Sequence, residues 1–243
     1  MSVLVCAEPS GSEVATEVTA PQYARLLELP RNRPLDQPLV ERAQAARSWY
    51  ASHGRPWVAA RRDAIARLDA SSIAVESGSV FHSGVLSERL RAGEAHGLMA
   101  LAVSAGPEAD AEAQRLWAED RPDEAYFLDR FAAAVAEQLV CWASVWFCRR
   151  AEAGGETVLA HLSPGCGDWD LKDQAKLMRL IAAGSDAVGP VRMLSSGMLR
   201  PKNSLLAVRG LTRRAVLASP ADACRSCDLS PCRFRRAAYR GAA

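Results

Sequence analysis

The sequence predicts an α+β fold, and three observations predict it. Helical and strand-like stretches are interleaved without the regular strand–helix–strand alternation of a parallel α/β sheet. The run Gly-Leu-Met-Ala-Leu-Ala-Val-Ser at 97–104 is apolar throughout and has the length of a buried strand. A longer stretch, 123–149, carries Phe127, Phe131, Val135, Leu139, Trp142 and Trp146 along one face and reads as a long helix whose stripe belongs to the core. The expected arrangement is a central twisted, mainly antiparallel sheet flanked by helices, followed by a cysteine-rich C-terminal tail.

Taken in order, residues 1–19 are small and polar and are expected to form a partly ordered leader. Helices follow at 23–29, ended by Pro30, and at 39–51, where Val40, Ala43, Ala46, Trp49 and Tyr50 recur at helical spacing. Between them, the prolines at 34 and 38 mark a loop. Stretches 57–68 and 71–76 alternate weakly and read as strands. Ser83 or Ser79 is suited to cap a helix over 85–91. After the apolar strand, Gly106-Pro107 is a stop, and a helix is expected over 109–119. Past the long helix, Thr157-Val-Leu-Ala160 reads as a short buried strand, 170–181 as a helix with Asp170 as its N-cap, and 191–196 and 204–209 as strands parted by a loop through Gly197 and Pro201. The main domain is assigned to 20–215 and the tail to 216–243.

Composition narrows the function classes. The chain has 243 residues, 49% apolar and 24% charged, with a net charge of +2, which gives no reason to expect nucleic acid or a membrane surface as partner. No apolar run has the length of a membrane span, the first residues lack a basic segment, and a cytoplasmic location is expected. Seven cysteines in that compartment point to thiols or metal ligands rather than disulfides. No Ser/His/Asp triad, phosphate-binding glycine loop or nucleotide fingerprint stands out.

Two stretches carry chemistry. The first is His161-Leu-Ser-Pro-Gly-Cys-Gly-Asp-Trp-Asp170, between a strand and a helix, where Gly165 and Gly167 permit left-handed backbone and close approach of a ligand to free N–H groups. The second is Cys224-x-x-Cys227-x4-Cys232, three thiolates within nine residues. A C-x-x-C pair is a two-ligand hook for zinc or an iron–sulfur cluster, and a complete site needs a fourth ligand: Cys166, then Cys6, Cys148 or Cys141, or a histidine such as His161. Cys141 and Cys148 otherwise suit the core.

Several ordered blocks resemble the activation (reactivation) domain of cobalamin-dependent methionine synthase in a free-standing form. They are Val80-Phe-His-Ser83; Val103-Ser-Ala-Gly-Pro-Glu108; Leu128-Asp129 eight residues before Glu137; Ser163-Pro-Gly-Cys-Gly-Asp-Trp169 with Gln174; and Leu194-Ser-Ser196 with Met198, Pro201 and Ser204. The resemblance spans about residues 20–212 and rests on their order and spacing. It implies an accessory protein that binds S-adenosylmethionine and supports reductive remethylation of cob(II)alamin carried by a corrinoid protein or a methionine synthase lacking its own activation domain. The family's arginine-x-alanine-proline-glycine-tyrosine turn falls with the arginine at His161, alanine at Ser163, glycine at Gly165 and tyrosine at Cys166. Glu137 keeps the helix carboxylate, and a late-strand tyrosine falls near Val208. His161 lacks the arginine's planar fork unless protonated, and Cys166 lacks an aromatic face. Cofactor-binding residues implied by the resemblance are thus Glu137, His161, Ser163, Gly165 and Cys166. The metal ligands expected are Cys224, Cys227, Cys232 and Cys166, for an iron–sulfur electron entry site or, alternatively, zinc. The alternative function is a non-catalytic metal-binding module that docks on a corrinoid protein after loss of the S-adenosylmethionine site.

Overall fold

In a computed structural model, which describes residues 4–28, 36–152 and 155–214, the chain runs β1 (Leu4–Ala7), α1 (Gly11–Glu17), α2 (Ala20–Leu26), α3 (Gln37–His53), β2 (Trp57–Leu68), β3 (Ser72–Val75), β4 (Val80–His82), α4 (Gly84–Ala92), β5 (Gly97–Ser104), α5 (Pro107–Ala118) and α6 (Pro122–Glu152). It continues through β6 (Thr157–Val158), α7 (Asp173–Ile181), β7 (Ala187–Val188), β8 (Val191–Met193), β9 (Leu199–Arg200) and β10 (Ser204–Thr212). The expected α+β class is what forms. A seven-stranded sheet has the order β4-β3-β2-β5-β10-β6, with β1 on the first half of β2, and β7-β8-β9 make a small second sheet. Every pairing is antiparallel.

β5 sits in the middle of the large sheet, and all eight of its residues are buried. That explains its unbroken apolar run: a strand covered on both faces has no polar side to show. On one face, Val58, Ala60, Met99, Leu101, Val103, Ala207 and Leu211 pack with residues of α1, α2, α3, α5 and α6. On the other, Trp57, Ala59, Leu98, Ala100, Ala102, Leu206 and Val208 pack with Phe81, α4, α7 and the small sheet.

The stripe on α6 does what its spacing predicts. Phe127, Phe131, Val135 and Leu139 are all buried, and Trp142, half-buried, donates from Nε1 to Glu13 at 3.2 Å. Trp146 and Cys148 lie outside the described side chains. Phe131 is the hub, with the Tyr23 ring at 5.0 Å and the Tyr50 ring at 5.7 Å, both edge-on, and the Arg47 guanidinium 5.1 Å over its face. The tyrosine hydroxyls donate to Phe127 O at 2.8 Å and Ala105 O at 2.6 Å. Burial pushes both phenols far above their usual range, so they stay neutral donors.

Residues 4–17, within the stretch expected to be a partly ordered leader, supply a paired strand and a helix. Arg47 fastens α1 by donating to Ala15 O and Val18 O, a contact with no local sequence signature. The strands β4, β7 and β9 are two or three residues long, too short to show alternation. Asp170 does not cap α7. It accepts from the Lys172 amide at 2.8 Å in an extra turn, and the helix opens at Asp173, whose side chain serves tertiary contacts.

Three of the blocks that carry the family resemblance meet at one end of β5 and β10. The Lys202 amide donates to Asp110 at 2.8 Å, Lys202 Nζ pairs with Asp129 at 2.7 Å, and Asn203 donates to Asp129 at 3.0 Å. Asn203 O accepts from Ala105 N at 2.9 Å. Desolvation would raise the Asp129 carboxyl, but Lys202 and Asn203 outweigh it and hold it low. Among the described residues no helix is long and apolar enough to cross a membrane.

Because Phe131 joins α2, α3 and α6 in one contact, Phe131→Ala is expected to cost about 3–5 kcal/mol, read from the urea midpoint at unchanged slope. A loss below ~1 kcal/mol would mean that the helical layer is not packed through this ring.

Candidate functional site

The site begins where β6 gives way to the 161–170 bend. β6 pairs Val158 with Leu211, and an isolated bridge pairs Leu162 with Val208 through bonds of 2.7 and 2.9 Å. Three residues, 159–161, therefore lie opposite two, Arg209 and Gly210. This is a β-bulge, and it breaks the alternation so that Leu159 and Leu162 both pack on the α4/α7 side. The bulge sets the bend beside Val208, where the late-strand position was expected.

Past Leu162 the chain folds on itself. Cys166 N donates to Ser163 O at 3.0 Å, Gly165 N to Trp169 O at 2.8 Å, and Trp169 N to Cys166 O at 3.1 Å. Gly165 has φ +91° and Gly167 φ +58°, conformations that favour glycine. The two differ in use. A Cβ on Gly167 would stand 3.0 Å from Val85, so this glycine serves packing, whereas at Gly165 it would meet only Leu171 Cδ1 at 3.6 Å. Backbone at Gly165 is thus exposed and open to close approach. Ser163, Cys166 and His161 are half-buried around it.

Acidic side chains bolt the bend down. Asp168 accepts from Ser83 Oγ at 2.7 Å, Gly84 N at 2.7 Å and Val85 N at 3.2 Å, occupying the N-terminus of α4 together with the Ser83 cap. Trp169, 2% exposed, meets the Phe81 ring edge-on at 6.0 Å and donates to Asp173 at 3.1 Å. Asp173 also accepts from the His82 amide at 3.2 Å and pairs with Lys176 at 2.7 Å. Sequence reading missed the Asp168 role and the Asp173 bond to His82 because those partners stand 83 to 91 residues away. Leu171, Leu194 and Met198 are exposed, and Gln174 ties the 194–197 turn to α7 through Gly197 O at 2.5 Å, so the bend has an apolar rim.

Ser163, Gly165 and Cys166 thus share one bend, with His161 leading into it. Glu137 belongs to the helical layer on the other face of the sheet. It is buried there and ion-paired with Arg25 of α2, next to the bond from Gln22 to Ala134 O at 3.2 Å. Arg209, also unforeseen, is 5% exposed, shares the α6 face of β10 with Ala207 and Leu211, and donates to Leu159 O at 2.9 Å. At the entry to β6, Glu156 takes Arg62 at 2.6 and 2.8 Å and His96 at 2.8 Å. Cys6 lies exposed on β1 and Cys141 half-buried on α6. Among the described residues, no group of three or more His, Cys, Asp or Glu is placed to hold a metal. Cys224, Cys227 and Cys232 lie outside the described residues.

Desolvation alone would raise the carboxyls of Asp168 and Asp173. For Asp168 the bonds from Ser83, Val85 and Gly84 outweigh it, and for Asp173 those from Lys176, His82 and Trp169, so both are held below the usual carboxylate range. A carboxyl lowered by folding contributes stability that is fully present above its unfolded value and is lost as pH falls through the folded one. Asp168→Asn is therefore expected to cost about 1 kcal/mol at about pH 7, the size of a helix cap in a solvent-screened position. It should also flatten the fall of the thermal midpoint on acidification below about pH 4. An unchanged acid profile would show that Asp168 does not anchor the bend.

No protein-family model matches the chain, and no curated protein does. Among solved structures it is similar to a crystal structure of the MetH reactivation domain bound to AdoHcy, with a TM-score of 0.64 and 14% sequence identity, over 90% of this chain and 81% of that one. At that identity the likeness is one of fold, and this chain has an activation-domain-like fold.

Proposed function

We propose that this protein is an accessory activation protein for a corrinoid methyltransferase of the methionine synthase type. It binds S-adenosylmethionine on the 161–170 bend and presents it to cobalamin held by a partner that lacks its own activation domain. The observation that carries the proposal is the fold likeness, over 90% of the chain, to a reactivation domain bound to AdoHcy. The bend fits such a ligand in one respect that its own geometry supports: Gly165 is exposed backbone that only the end of the Leu171 side chain approaches. S-adenosylmethionine supplies an electrophilic methyl group on a sulfonium. The residues of the bend would hold the ligand's polar end, with Ser163 and His161 as hydrogen-bonding groups and Cys166 against its apolar body. Glu137, the helix carboxylate that the resemblance implies, lies across the sheet from the bend in its pair with Arg25 and takes no part in this reading.

The electron for cob(II)alamin is proposed to arrive through an iron–sulfur cluster on Cys224, Cys227 and Cys232, with Cys166 as fourth ligand. Cys166 suits that part by standing half-buried on the bend itself. Zinc on the same thiolates is the alternative. A non-catalytic docking module, with the adenosyl site lost, is favoured by two particular observations. Glu137 is ion-paired with Arg25, and Val208, where a tyrosine was expected, is wholly buried.

Titration calorimetry with S-adenosylhomocysteine separates these functions. Binding tighter than about 1 mM is expected, weakened about tenfold or more in Gly165→Val. No heat at that concentration would leave the docking module. Anaerobically purified protein is expected to be brown, with charge-transfer absorption lost in Cys227→Ala and Cys232→Ala. A colourless protein with stoichiometric zinc would remove the redox role.

A further inference from the structure

The small β7-β8-β9 sheet turns one face to the core and the other to solvent. Val188, Val191 and Leu199 are buried on the α4/α7 side. Strand alternation then puts Arg192, Leu194, Met198 and Arg200 on the opposite face, and all four are exposed. The register makes them a square. Arg192 stands directly opposite Arg200. Leu194 stands opposite Met198, its amide donating to Met198 O at 2.8 Å. Gly197 N donates to Leu194 O at 2.9 Å, and Gly197 closes the hairpin at φ +82°. Gln174 ties this turn to α7, and Leu171, three residues before Gln174, is exposed beside Gly165. The face thus adjoins the bend.

Neither pair serves the stability of this chain. Like charges directly opposite one another on neighbouring strands repel. Arg192 makes no ion pair among the described residues, and Ala187, its opposite on β7, is too short to cover it. Asp186, next to Ala187, is engaged with Arg179 at 3.2 Å. Arg200 reaches only Asp110, at 3.8 Å, and that carboxylate already accepts from the Lys202 amide. Leu194 and Met198 leave their side chains in water, Met198 at 62% exposure. Arginine and methionine around an apolar centre, with no lysine or glutamate among the four, make the composition of a protein contact rather than of a solvated face. A second copy of the same face would set arginine against arginine, so the complement is acidic.

We propose that this face of the small sheet docks the corrinoid-holding partner, whose matching surface is acidic around an apolar centre. Arg192 and Arg200 each meet a partner carboxylate, and Leu194 and Met198 supply the apolar contact. This rests on the function proposed above and sets the partner beside the bend that presents the adenosyl ligand. Calorimetric titration of the full chain with a cobalamin-loaded methionine synthase lacking an activation domain, at about 50 and about 200 mM salt, tests it. The wild-type chain is expected to bind, more weakly at the higher salt. Arg192→Glu should weaken binding about tenfold or more at the lower salt and remove most of the salt dependence. Met198→Ser should weaken it at both salts. Arg192→Glu should leave S-adenosylhomocysteine binding unchanged and keep or raise the thermal midpoint, because glutamate opposite Arg200 replaces a repulsion with an attraction. Binding by the wild-type chain that Arg192→Glu leaves intact would overturn this surface alone. No binding by the wild-type chain would overturn the partner as well. A dimer of the chain that Arg192→Glu dissolves, or Arg192-dependent binding to phosphatidylglycerol vesicles in place of the protein, would give the face another occupant and equally overturn the proposal.

Discussion

Two-sided burial of the β5–β10 pair is the constraint on which this structure depends. All eight residues of β5 and residues 206–212 of β10 are buried. A pair of strands without a polar face cannot stand against water, so each face needs its own cover. One cover is the helical layer built on α6, with Phe131 joining α2 and α3 to it. The other is thinner, made of α4, α7 and a three-stranded sheet. The 161–170 bend is part of that thin cover: Leu162 and Trp169 are core residues, and the loop between them is what the core leaves at the surface. A candidate ligand turn is thus placed by hydrophobic packing and then held by Asp168 and Asp173.

The polar groups explain why the chain closes in this register and no other. Asp110 and Asp129 hold the 200–204 loop over the end of β5, and Glu156 gathers Arg62 and His96 at the entry to β6. A one-residue slip of β10 would turn Val208 and Leu206 to the helical layer and Arg209 to the other face, undoing both the cores and these bonds. Such buried or half-buried pairs add modest net energy, but removing one partner leaves the other uncompensated, so they penalise wrong arrangements more than they reward the right one.

Much of the fold was legible because it is written in periodicity. The α6 stripe, the apolar β5 run and the Ser83 cap are local patterns, and the structure follows each of them. What could not be read is long-range. The Asp168 bonds to α4, the Arg47 hold on α1 and the Arg25–Glu137 pair each join residues far apart in sequence, and nothing near either partner marks them. The β-bulge at 159–161 was hidden for a different reason: it is a mismatch between two strands, visible only once both are paired. At the bend, Gly165 and Gly167 looked alike in sequence, yet one is open to approach and the other is wedged against Val85. Only the surroundings distinguish a glycine kept for packing from one that leaves backbone bare.

This division bears on how a fold likeness at 14% identity can coexist with changes at the expected ligand positions. In this chain the features that fix the fold are two-sided strands, a glycine wedged in packing at Gly167 and acids that close loops. None of these touches a ligand, and each is costly to lose, since the sheet or the bend fails with it. Side chains that would face a ligand carry no such burden. His161 and Cys166 are half-buried, Cys166 packed at the edge of the core of the thin cover. Val208 is the exception, wholly buried among the residues of the thin cover. A tyrosine there would have to displace part of that cover or emerge through it, so valine at this position goes with a closed core under the bend. Recognition on this side would then fall to what the bend leaves at the surface: bare backbone at Gly165, the polar groups of His161 and Ser163, and the apolar rim of Leu171, Leu194 and Met198. The fold persists because its constraints lie beneath the surface on which any ligand would be met.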